Sequence, residues 1–180
     1  QTEKITITEN AALEEAIRQI SPSMVVVQAW ANKKIVKQGS GFIVFSDGLL
    51  ITAADLVSGR GQQYFVLKEG ENPLLAQVVK KDLENNLALL KIEKTNLPVI
   101  SLGDLSELSL GQRLILIGLE NKDNNFYRFI NIGTIRSIKE GVISLNLIEE
   151  NPLANGGPLI NIKGQVIGLN LVNTQGLIKT

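Results

Sequence analysis

The 180-residue chain contains no histidine and no cysteine. Each absence removes a class of chemistry. Without an imidazole, neither a Ser-His-Asp nor a Cys-His site can form, whatever the fold. Zinc centres built on Cys and His are excluded as well. The lack of disulfides suits a cytosolic protein, and equally a bacterial envelope protein that does without them. An excess of charge of one sign is also missing: 18 Lys and Arg balance 18 Asp and Glu. No basic block supplies the electrostatic footprint of a nucleic-acid binder. Five Phe, two Tyr and one Trp are too few and too scattered for a base-stacking platform. No apolar run approaches the roughly 20 residues of a membrane-spanning helix, and no signal peptide is visible.

What the sequence does hold is mostly β. Residues 1–9 read as a polar, extended lead-in, with Asn10 as a helix N-cap. Leu13, Ala16, Ile17 and Ile20 recur at helical spacing and predict one short amphipathic helix over 11–20, ended by Ser21-Pro22-Ser23. From Met24 onward, short runs rich in Val, Ile and Leu follow one another. Turn signals separate them at Asn32-Lys33, Ser46-Asp47-Gly48, Glu69-Gly70-Glu71-Asn72 and Lys163-Gly164. Ten or more short strands argue an all-β barrel or sandwich. The segment 97–112 lacks alternation and reads as a connector between one half near 24–96 and another near 110–180.

Four stretches, in order, carry a resemblance: QGSGFIVFSDGLLITAADLV, KDLENNLALLKIEKTNLPVISLGD, LGQRLILIGL and ENPLANGGPLINIKGQVIGLN. Together they resemble the trypsin-like domain of the HtrA/Deg serine proteases, from about Ser21 to about Asn170. The resemblance implies a chymotrypsin-like fold: two six-stranded antiparallel β-barrels behind the N-terminal helix, in one domain. Relatives often add a C-terminal helix and PDZ domains, and the sequence of this chain shows no PDZ domain. The family histidine falls on Asp55, after Thr52-Ala53-Ala54. The family aspartate falls on Asn86, before Leu87-Ala88-Leu89-Leu90-Lys91. The family serine falls on Asn155, before Gly156-Gly157-Pro158. All three catalytic positions therefore differ.

An amide is neither a useful nucleophile nor a base near neutral pH, so Asn155 cannot replace a serine. Asp55 could accept a proton but faces no hydroxyl at this position, and Asn86 has no charge to steady an imidazolium. Ala154 and Leu153 precede Asn155, and Leu153 replaces the glycine whose N–H serves the family's oxyanion hole, a backbone site a leucine adopts with difficulty. The sequence thus reads as a natural pseudoprotease, a peptide- or protein-binding scaffold with no catalytic residue. No cofactor or metal is expected: one carboxylate and two amides fall short of a calcium cage. The alternatives are a hydrolase with rewired catalysis, through Asp55 or a Ser-Lys pair, and a purely structural domain.

Gly133 and Thr134, with Gly168, Leu169 and Asn170, lie where the family shapes its substrate cleft, and an extended peptide could pair with such a strand edge. Asn155-Gly156 reads as a tight-turn pair and a deamidation spot. Glu149-Glu150 reads as a solvated acidic loop, and Gly39-Ser40-Gly41 as a strand segment whose glycines allow a bulge or a close backbone approach. Trp30 and Met24 read as core or barrel-rim residues. The resemblance further implies an extracytoplasmic location, with a membrane tether as one option. As partners it allows an active homologue, or copies of this chain joined through the N-terminal segment.

Overall fold

The computed structural model describes residues 2–139, 142–146, 154–171 and 178–179. It opens with helix α1, Thr2–Ile20, nine residues longer at its start than the spacing predicted. The lead-in is helical and Asn10 lies inside the helix. Its Thr and Ile residues lower helix propensity by only tenths of a kcal/mol each. No Gly or Pro interrupts the chain before Pro22. The helix stops where expected, and Ser21 Oγ donates to the carbonyl of Ile17 at 2.7 Å. Leu13, Ala16 and Ile20 are buried, so the helix lies as a lid on the β body.

Six strands then close a barrel: β1 Met24–Ala31, β2 Lys34–Phe45, β3 Leu49–Ala53, β4 Gln63–Leu67, β5 Leu74–Asp82 and β6 Leu87–Ile92. The order is β1-β2-β3-β6-β5-β4, and β4 returns to pair with β1. The β1–β2 turn is Asn32-Lys33, with φ of 51° and 62°. Two positive φ values make the type I′ geometry that matches strand twist. Met24 is in the core, whereas Trp30 is half-buried at the rim, edge-on to Phe65 with ring centroids 5.8 Å apart.

The second half differs from a closed six-stranded barrel. Among the described residues it is a seven-stranded sheet, built from β7 Ser101–Leu102, β8 Arg113–Lys122, β9 Asn125–Lys139, β10 Val142–Asn146, β11 Pro158–Ile160, β12 Gln165–Leu169 and β13 Ile178–Lys179. Its order is β13-β10-β9-β8-β11-β12-β7, and the β12–β7 pair is parallel. The 97–112 connector thus contributes its own edge strand to the second half.

β8 joins the two halves. Leu114 and Leu116 face a core shared with Ile135, Ile143, Leu159 and Ile167. The alternate residues Ile115, Ile117 and Leu119 face the core of the first barrel. A strand with both faces buried reads as a continuous apolar run, which is how RLILIGL appears in the sequence.

Candidate functional site

Asp55, Asn86 and Asn155 converge at the seam between the halves. Asp55 sits in the 3-10 turn Ala54–Val57 that follows β3. Asn86 closes the β5–β6 turn with φ of 53°, a conformation Asn tolerates better than most residues. Asp82 sets this turn, because its carboxylate accepts from the backbone N–H of Asn85 at 3.1 Å and from Asn85 Nδ2 at 2.8 Å. Those two bonds hold the Asp82 carboxyl below the usual carboxylate range. Asn155 lies in the loop entering β11 and is only 5% exposed.

One hydrogen-bonded string connects them. Asn155 Nδ2 donates to both carboxylate oxygens of Asp55, at 3.1 and 3.2 Å. The Asp55 backbone N–H donates to Asn86 Oδ1 at 2.8 Å, and the Ala54 N–H to the Asn86 carbonyl at 3.0 Å. The string links the three positions in the order serine, histidine, aspartate of the resemblance. It contains one ionisable group and no hydroxyl. Among the described residues no group of three His, Cys, Asp or Glu side chains gathers to hold a metal.

The loop around Asn155 is fastened to both halves through its backbone. Its carbonyl accepts from the Ser40 N–H at 2.8 Å, and Gly156 N–H donates to the Asn170 carbonyl at 2.8 Å. Ser40 Oγ also accepts from the Leu119 N–H at 2.8 Å, while Thr52 Oγ1 donates to the Ser40 carbonyl at 2.7 Å. Ser40 and Thr52 therefore belong to the site, although in the sequence they look like ordinary strand residues; full burial of two hydroxyls is the signal that picks them out. The glycines beside Ser40 serve close approach: a Cβ at Gly39 would stand 2.7 Å from the Asn155 carbonyl. The Asn155-Gly156 pair has positive φ only at Gly156, +81°.

This geometry bears on deamidation. Conversion of Asn155 requires the Gly156 nitrogen to attack Asn155 Cγ. Here that nitrogen donates to Asn170, and Nδ2 is held by Asp55. The folded chain is expected to deamidate at Asn155 far more slowly than the same chain unfolded in guanidinium. Peptide mapping by mass spectrometry after equal incubation checks this, and equal rates would show that the loop leaves this geometry freely.

The cleft candidates separate into two groups. Thr134, on β9, pairs with Arg113 on one side and Asn146 on the other, so it offers no free strand edge. Gly133 pairs with Leu114. Gly168 and Leu169, on β12, pair with Leu159 and Pro158 through one edge, and β7 covers only Gln165 and Val166 on the other. β8 and β11 lie between the two groups. Gly168 and Leu169 also line an apolar pocket of about 390 Å³ at the seam, walled by Phe42, Ile51 and Leu87 of the barrel and Leu105 of the connector. Ala154 is fully buried. Leu153 and Glu149-Glu150 lie outside the described residues.

The trypsin-like peptidase domain matches this chain over residues 39–169. A protein named as a DegP-like periplasmic serine endoprotease, from Hahella chejuensis, is 33% identical over 139 residues, covering 73% of this chain and 29% of the relative. Its counterpart in Halomonas elongata is 34% identical over 137 residues, covering 73% and 28%. The chain thus spans less than a third of the length of these relatives. The crystal structure of Deg5 superposes with a TM-score of 0.81 at 23% identity, over 95% of this chain and 89% of that one.

Proposed function

Because the chain belongs to the trypsin-like peptidase family, in its HtrA/DegP branch, we propose that it is a catalytically inactive member that binds peptide or protein without cleaving it. One observation carries the reading: an amide, Asn155 Nδ2, occupies the place of the nucleophile and donates to Asp55. The direction of donation matches what activation needs, but the donor does not: an amide nitrogen, its lone pair delocalised into the carbonyl, neither gives up a proton to a carboxylate nor attacks a carbonyl carbon. A rewired hydrolase working through Asp55, rather than through a Ser-Lys pair, would need a hydroxyl beside that carboxylate. Among the described residues the Asp55 carboxylate accepts only from Asn155.

The ligand in this reading is an extended peptide along the 168–170 edge, with an aliphatic side chain in the adjoining pocket. An active relative is a candidate protein partner, and the N-terminal segment a candidate contact between copies of this chain. The periplasmic designation of the relatives supports an extracytoplasmic location. Among the described residues no helix is long and apolar enough to cross a membrane.

The test uses one preparation with unfolded casein and a diverse peptide library, scored by mass spectrometry for cleavage and for retention. Retention without cleavage is the expected result. Cleavage that survives repurification and disappears on substituting Asp55 would overturn the reading.

A further inference from the structure

The β1–β2 hairpin carries charge that the balanced composition conceals. Between Gln28 and Ser46 the sequence holds Lys33, Lys34 and Lys37 and no acidic residue. Residues 32–37 are all exposed, including Ile35 at 49% and Val36 at 47%. The hairpin adjoins the site. Lys37 Nζ donates to the Asp55 carbonyl at 2.6 Å, and from β5 Lys81 Nζ reaches the Val57 carbonyl at 3.4 Å. Exposed Arg60 follows the same 3-10 turn. Cations from two separate strands therefore contact the turn that bears Asp55, and a third cation follows it in the chain.

The acidic groups facing them are few and engaged. Asp55 accepts from Asn155 through both oxygens, and Asp82 accepts from Asn85 and lies within reach of Lys80. Glu84 stands in the same β5–β6 turn and has its own interactions. Among the described residues none of Lys33, Lys34, Lys37 and Arg60 makes a salt bridge.

We propose that this face selects an acidic polypeptide segment. A peptide lying across the Asp55–Asn155 string continues onto the hairpin, where its carboxylates meet Lys33, Lys34, Lys37 and Arg60 and its aliphatic side chains rest on Ile35 and Val36. The inference rests on the peptide-binding reading above and adds the chemistry of the partner. Charge complementarity decides the occupant: a basic segment would be repelled, and a neutral one would leave the cations unmatched. Exposed ion pairs are individually weak, so selection depends on several acting together and fades as salt screens them.

The experiment measures fluorescence anisotropy of a labelled extended peptide of Glu, Val and Gly, its Glu→Gln counterpart and its Glu→Lys counterpart, at low and high salt. The Glu peptide is expected to bind at least about tenfold more tightly than the Gln peptide at low salt, with the gap narrowing as salt rises. Lys34→Glu with Lys37→Glu should abolish the preference and Lys34→Gln with Lys37→Gln should reduce it. Lys122→Glu, on another hairpin, should leave it intact. Thermal melts confirm that each variant is folded, and the neutralising pair keeps the test valid if the reversing pair is not. Equal binding of all three peptides, indifferent to the hairpin variants, would overturn acidic selection while leaving peptide binding standing. Anionic vesicles bound through the hairpin lysines, with no peptide bound, would replace the proposal with a lipid surface. Binding of nothing would remove both readings.

Discussion

Asp55→His, Asn86→Asp and Asn155→Ser, introduced together, are expected to raise hydrolysis of an activated ester at least about 10²-fold over the unaltered chain, the low end of general-base catalysis. The observed string supplies the reason. Serine places its oxygen one bond nearer its backbone than asparagine places Nδ2, and histidine places Nε2 one bond farther than aspartate places its carboxylate oxygen. The two changes offset, so hydroxyl and imidazole span the gap now bridged at 3.1 Å. An aspartate at position 86 keeps the acceptor that meets the backbone N–H of residue 55 at 2.8 Å, and its second oxygen is available to the imidazole. Each single change should stay at background, because members of such a unit are strongly non-additive. An activated ester is the suitable reporter, since its leaving group departs readily with little help from an oxyanion hole. A folded triple variant no faster than the parent would show that the string only superficially resembles a triad.

A large effect on stability is expected at Gly156. Gly156 and Gly61 both have positive φ, +81° and +66°, but their surroundings differ. A Cβ at Gly61 meets nothing within 4 Å, whereas one at Gly156 would stand 2.3 Å from the Ser40 carbonyl and 2.6 Å from Thr52 Oγ1. Gly61→Ala therefore isolates the backbone penalty, about 1 kcal/mol. Gly156→Ala adds the separation of the loop from β2 and should exceed about 3 kcal/mol, with failure to fold as its upper limit. Denaturant midpoints of the two variants measure the difference. Similar losses would mean that the loop can move off the barrel at little cost, and the string with it.

The legible parts of the sequence were those with local signals. Asn32-Lys33 marked its own turn, and the both-faces-apolar run of β8 marked a buried strand. The motif stretches singled out Asp55, Asn86 and Asn155, and hydrogen bonds link the three residues in the fold. Other features depend on contacts that leave no local trace. β7 is two residues long and is a strand only because β12 lies beside it. The β8–β9 hairpin runs on to Lys122 and Asn125 around Asp123-Asn124, both at positive φ, through a stretch in which only Phe126 and Tyr127 break a polar run and no apolar alternation shows. Helix α1 extends over residues whose intrinsic preference pointed elsewhere. Thr134 looked like a free edge because pairing on its second side comes from β10, outside its own hairpin.

The double allegiance of β8 has a consequence for how the molecule comes apart. Ile115, Ile117 and Leu119 are part of one core and Leu114 and Leu116 of the other, on the same backbone. Neither half can lose its order without stripping one face of this strand, and the other face is then held by a strand no longer fixed in place. The chain should therefore melt as a single cooperative unit, with no long-lived species in which one half survives alone. A partner that grips either half would then stabilise both by the same free energy.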